Sequence, residues 1–181
     1  AEYFEEALVI GNGQMGAIVY GGVAEEVLSL NDLTLWTGEP DRKVHSPEAH
    51  KAIPEIREAL DKEDYRKATH LYKKVQGHYS ENYQPLGTLT IKHVDEEYGK
   101  GVSEYERSLD ISTALAKTSY VKDGKGVTAE YFASAPDSVI VVRLTSATEK
   151  GIHATVSFDS QLPYSATAEG DAIAATGYAA Y

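Results

Sequence analysis

The chain contains no cysteine. That removes disulfides, thiolate metal ligands and cysteine nucleophiles together. It leaves the compartment open, because 181 residues can build a core without staples. Apolar runs are short, and none approaches the roughly 18 residues of a membrane-spanning helix. Positive charge is scarce: 17 Lys and Arg stand against 28 Asp and Glu, a formal net charge of −11. This argues against nucleic acid, which is bound by a surplus of cations, and against an anionic membrane surface. A neutral ligand such as a sugar is compatible, as are other neutral partners. No charged-then-apolar signal peptide is legible, but the chain opens on Ala1 rather than Met. A processed chain or a piece of a longer one is therefore expected. Trp and Met occur once each and Phe three times, against 13 Tyr. That skew suits the half-buried faces of a large β-sheet, with sugar-facing rings as the alternative.

Catalytic signatures are missing too. There is no G-x-S-x-G elbow and no P-loop lysine motif. The six histidines (His45, His50, His70, His78, His93 and His153) form no H-x-x-x-H pair and read as scattered surface residues. The acid pairs Glu5-Glu6, Glu25-Glu26 and Glu96-Glu97 are sequence neighbours, which face opposite ways on a strand. They read as solvated faces, not as catalytic pairs. No catalytic residue, metal site or cofactor is expected.

Residues 8–22 carry a decoy. Gly11, Gly13 and Gly16 fit G-x-G-x-x-G, which binds dinucleotides only where a helix starts at the third glycine. Here Ala17-Ile18-Val19-Tyr20 favours a strand and Gly21-Gly22 ends it. The glycines read as strand–turn–strand, with positive φ at the turn.

Strand character continues through Val23–Leu30, breaks at Asn31-Asp32 and resumes over Leu33–Trp36. Ser46-Pro47-Glu48 is a helix start, Pro54 begins a second short helix through Leu60, and a third runs from Asp64 to about Val75. Its apolar positions are Tyr65, Ala68, Tyr72 and Val75. From Leu86 onward the pattern is β. Tyr105, Leu109 and Ile111 alternate with polar residues. Asp123–Gly126 marks a hairpin. Val139–Leu144, apolar on both faces, reads as a central strand. Ala172–Tyr181 is strand-like without an obvious partner, which suggests a domain that continues. The expected fold is mainly β: two packed antiparallel sheets with a helical insertion at about 46–76.

Amides and rings beside turns are the residues least explained by packing: Asn12, Asn31, Trp36-Thr37-Gly38 and Tyr83-Gln84. They are candidate domain-interface or sugar-pocket contacts. The alternative is structural, with Asn12 and Asn31 as turn formers, Trp36 as a plug and Gln84 tying a loop to the backbone.

Six ordered segments carry a family likeness: Ala7–Ala17, Gly21–Pro40, Ile53–Arg57, Tyr83–Leu89, Tyr105–Asp110 and Tyr131–Asp137. Together they resemble the amino-terminal region of glycoside hydrolase family 95, the α-L-fucosidases. The departures are modest: Val9 stands for a proline, Gln14 for an arginine and Thr88 for an aspartate. The resemblance implies a β-supersandwich domain, followed in the full protein by an (α/α)6 barrel that holds the inverting machinery. None of the barrel's motifs lies in this chain. The implied parent is an inverting exo-glycosidase releasing L-fucose, or a relative such as L-galactose, from glycans. The implied partners are that barrel and, through it, a fucosylated glycan. An extracellular or periplasmic location is expected. A stand-alone carbohydrate-binding or structural β-sandwich is the alternative.

Overall fold

Alternation of apolar and polar side chains gives each strand one face to bury. The computed structural model describes residues 1–38, 48–77, 81–149 and 151–179. Its strands are β1 (Leu8–Gly11), β2 (Met15–Val19), β3 (Glu25–Asp32), β4 (Gly87–His93), β5 (Val102–Asp110) and β6 (Leu115–Lys122). They continue with β7 (Lys125–Ser134), β8 (Val139–Ser146), β9 (Ala154–Asp159), β10 (Tyr164–Glu169) and β11 (Ala172–Gly177). One sheet has the order β1-β2-β3-β4-β9 and the second β5-β6-β7-β8, with every pair antiparallel. Ile10, Ala17, Val19 and Leu28 of the first sheet form one core with Ala116, Ala129 and Tyr131 of the second. The expected β-sandwich is the observed fold.

The decoy glycines make a turn. β1 and β2 pair through Gly11 and Gly16, Gly13 takes φ +92°, and no helix starts at Gly16. The Asp123-Gly124 hairpin also forms, with both residues left-handed and Lys122 paired to Lys125.

Other readings need correction. Asn31 and Asp32 belong to β3, and Leu33–Trp36 is not a strand. The Asp32 carboxylate accepts the Thr34 N–H at 2.8 Å and its hydroxyl at 2.6 Å, a local turn that outcompetes the extended ladder. Trp36 keeps only an isolated bridge to Tyr83. β8 is an edge strand, not a central one. In β5 a bulge between Ser103 and Glu106 breaks the alternation, and Ile111 lies exposed beyond the strand. Residues 172–177 do have a partner, β10, with which they form a ribbon exposed along its whole length.

Residues Thr37–Asn82 form a compact unit of their own, apart from Ala1–Trp36 with Tyr83–Tyr181. In it a 3-10 turn (Ala49–Ala52) leads into α1 (Ile53–Asp61), which has Pro54 in its first turn. The Asp64 carboxylate accepts the Lys67 N–H at 3.0 Å and caps α2 (Tyr65–Tyr72). Ala59, Ala68 and Leu71 are buried together with Ile56 packed against them. Tyr65 and Tyr72 are exposed, so the helix buries its small face rather than its rings. It ends at Tyr72, short of Val75. The Ser46-Pro47 helix start lies outside the described residues. Among the described residues no helix is long and apolar enough to cross a membrane.

Candidate functional site

Strand register gathers Asn12, Asn31, Trp36, Tyr83 and Gln84 at one end of the sandwich. Met15 pairs with Asp32, Leu30 with Gly87 and Thr88 with Asp159, so the β1–β2 turn and the segments after β3 and before β4 share that end. Asn12 ties both sheets there. Its Oδ1 accepts the N–H groups of Gln14 at 3.0 Å and Met15 at 2.8 Å, and its Nδ2 donates to the Ser134 carbonyl at 2.8 Å. Both polar atoms of that amide are thus engaged inside the domain. Asn31 is exposed on β3 opposite Gly16.

Trp36 is 44% exposed and Tyr83 40%, so neither plugs the core. Their rings meet edge to face with centroids 5.5 Å apart. Trp36 Nε1–H donates to the Leu33 carbonyl at 3.0 Å, and the Tyr83 hydroxyl donates to the Asp32 carbonyl at 3.0 Å. Each ring has its polar tip anchored and much of its apolar surface free. Burial, then the Asp32 charge, pushes the Tyr83 phenol pKa up. Gln84 ties the loop through its backbone N–H, which donates to the Leu35 carbonyl at 2.9 Å. In the helical unit Thr37 exchanges backbone and hydroxyl hydrogen bonds with Asn82, at 2.9 and 3.0 Å, and Gly38 takes φ +73°.

The reading of all three acid pairs as solvated fails at Glu26, which is 5% exposed. Its Oε1 accepts the N–H groups of Gly21 and Val27, each at 2.9 Å, and its Oε2 accepts the Tyr131 hydroxyl from the opposite sheet. Burial pushes the Glu26 pKa up against these hydrogen bonds, and burial with the Glu26 charge pushes Tyr131 up. The signal was in the period: Glu26 stands two residues before Leu28, hence on the core-facing side of β3. With both oxygens hydrogen-bonded inside the fold, this buried carboxylate joins the two sheets. His93 likewise departs from the surface reading. Its ring stacks on Tyr98 at 3.5 Å, and burial holds its pKa down. His45 and His78 lie outside the described residues. Among the described residues no cluster of acids and histidines could hold a metal ion.

The sequence matches the profile of glycosyl hydrolase family 65, N-terminal domain, over residues 1–180. The chain belongs to this family. It is also similar to alpha-L-fucosidase 2 of Arabidopsis thaliana, 36% identical over 157 residues, covering 87% of this chain and 18% of that protein. A probable alpha-fucosidase A of Aspergillus niger is 30% identical over 154 residues, 81% of this chain and 18% of that protein. A probable alpha-fucosidase A of Aspergillus oryzae is 30% identical over 148 residues, 78% of this chain and 20% of that protein. This family 65 N-terminal domain therefore spans about a fifth of the length of the curated relatives it matches. Most of each relative lies outside the aligned sandwich.

Proposed function

We propose that this sandwich is the non-catalytic front of an inverting α-L-fucosidase of the family 95 type, acting on fucosylated glycans outside the cytoplasm. The names of its relatives support the activity. The six ordered motifs support the family 95 type for the parent enzyme. An inverting site needs an acid and a base-activated water on opposite faces of the sugar, with carboxyls about 6.5–9.5 Å apart. Among the described residues the one buried acid, Glu26, has both oxygens committed to the fold. The resemblance to family 95 implies that the catalytic pair lies in a following (α/α)6 barrel. The observation that carries the reading is the anchored but exposed Trp36–Tyr83 pair, a preformed apolar face at one end of the sandwich. In this reading Asn12, Asn31, Trp36, Tyr83 and Gln84 of the sandwich line the interface with that barrel or the rim of its sugar pocket.

Nitrophenyl fucoside tests it. The longer protein releases L-fucose with inversion and the 181-residue chain alone does not. Turnover by the pure chain, or retention by the longer protein, refutes the reading. A second reading, a stand-alone carbohydrate-binding module, draws on the same rings, whose free faces suit stacking on a sugar. Saturable binding of a fucosylated glycan by the isolated chain, lost in Trp36→Ala, would favour it.

A further inference from the structure

Three connections meet at the end of the sandwich away from Trp36 and Tyr83. His93 pairs with Ala154 there, and Lys122 with Lys125. The β4–β5 connection, the β6–β7 hairpin and the β8–β9 connection line a recess of about 540 Å³. That size is within the range of small-molecule sites, about 300–1,000 Å³. Its charged lining is Asp95, Asp123 and Glu149 against Lys122 and Lys125.

The walls are tied to one another. Val94 N–H donates to the His153 carbonyl and Ala147 N–H to the Gly126 carbonyl, each at 3.0 Å. The Asp95 carboxylate accepts the Glu97 N–H at 3.0 Å, and the Thr148 hydroxyl donates to the Gly151 carbonyl at 3.2 Å. The buried Tyr98 ring stacks on His93 and holds the Lys122 ammonium 5.6 Å from its centroid. That ammonium also donates to the Lys100 carbonyl at 2.7 Å. The charges, by contrast, do not close on one another. Among the described residues Lys92 pairs with Glu25, Lys100 with Glu97 and Arg143 with Glu130, yet no ion pair joins any two of the five charges in the recess. Opposite charges held apart around one fixed recess leave space for a polar guest between them.

We propose that this recess is a carbohydrate subsite, which holds a neutral sugar residue through its hydroxyl groups. The lining chemistry selects that class. Three carboxylates oppose an anion. Two ammonium groups oppose a metal ion, and among the described residues no cluster of acids and histidines could hold one. Tyr98 is only 8% exposed, so an apolar ligand finds no ring face here. A sugar hydroxyl both donates and accepts. One sugar residue therefore answers both kinds of lining group, donating to Asp123 and Glu149 while accepting from Lys125. The subsite lies at the opposite end from the Trp36–Tyr83 pair, so it anchors glycan and takes no part in bond cleavage. Only the choice of a fucosylated glycan as its source rests on the function proposed above.

NMR titration of the 181-residue chain with 2′-fucosyllactose tests it, with lactose run beside it as a sugar without fucose. Amides of residues 95–98, 122–125 and 148–149 are expected to shift saturably. Lys125→Ala and Glu149→Ala, both at exposed positions, are each expected to weaken binding by about tenfold or more, while Trp36→Ala leaves it unchanged. A Tm within about 2 °C of wild type shows that a variant still folds, and either variant alone decides the matter. No saturable shift with either sugar up to about 50 mM, binding indifferent to both substitutions, or shifts confined to the Trp36–Tyr83 end overturns the proposal. So does saturation of the same amides by glycine or calcium chloride at lower concentration than by sugar, because the recess is then a site for a zwitterion or a cation. Binding of lactose as tightly as 2′-fucosyllactose sustains the subsite. The fucosidase reading stands or falls separately, on fucose release by the longer protein.

Discussion

A carboxylate enclosed between two sheets loses hydration that hydrogen bonds only partly restore. Glu26 is such a group, and burial outweighs the favourable bonds from Gly21, Val27 and Tyr131, so its pKa rises. The folded chain then holds the proton more tightly than the unfolded one. As pH climbs from the ordinary carboxylate range, the unfolded chain ionises first, and stability falls until the pH passes the raised folded value. Glu26→Gln removes this titration while keeping the shape, and the Tyr131 hydroxyl can turn to accept the amide. Urea unfolding between about pH 4 and about pH 8 should show wild type losing stability relative to Glu26→Gln as pH rises. Parallel profiles would mean that the carboxylate stays hydrated. Asn12 and Asn31 differ in the same currency of partners. Asn12→Ala frees two N–H groups and the Ser134 carbonyl and should cost about 1–3 kcal/mol. Asn31→Ala, on an exposed face, should stay within about 0.5 kcal/mol. Equal costs in chemical denaturation would contradict the inter-sheet role of Asn12.

Elements whose geometry is local were legible in the sequence. The Asp123-Gly124 turn needs two left-handed residues, and both are of types that tolerate it. Gly124→Ala should therefore cost about 1 kcal/mol in thermal or urea unfolding without shifting the Lys122–Lys125 register. A register change seen by NMR would show that the turn does not set the pairing. The strand–turn–strand at Gly11–Gly16 was readable for the same reason, and calorimetry with NAD or FAD should detect no binding. Elements that depend on neighbours were not readable. The composition of β8 is that of a covered strand, and only the sheet order reveals its bare edge. Leu33–Trp36 has strand propensity, but the Asp32 side chain captures the backbone two residues on. The α2 helix carries two tyrosines at the expected spacing and buries Ala68 and Leu71 instead, against Ala59 and Ile56 of α1. In the candidate site the residue types were legible. Their partners were not: Gln84 acts through its backbone, and Asn12 reaches a strand far along the chain.

For the molecule as a whole, the test is whether the Trp36–Tyr83 end serves the sandwich or something beyond it. The sandwich core lies elsewhere, among Ile10, Val19, Leu28, Ala116 and Tyr131. Removing a ring that is already 44% exposed should therefore change the stability of the 181-residue chain only modestly. If that face lines a catalytic domain's pocket, the same removal should act on catalysis. Trp36→Ala and Gln84→Ala in the longer protein should each lower kcat/KM by about tenfold or more, about 1.4 kcal/mol of transition-state stabilisation. The division between kcat and KM adds information. A loss in kcat with KM unchanged points to geometry that matters in the transition state, as a displaced pocket rim would produce. A rise in KM alone points to a sugar contact made equally before and during reaction. Loss of stability in both the short chain and the longer protein, with unchanged kinetics in whatever folds, would assign these side chains to the sandwich alone. The proposed interface would then have to lie on another face.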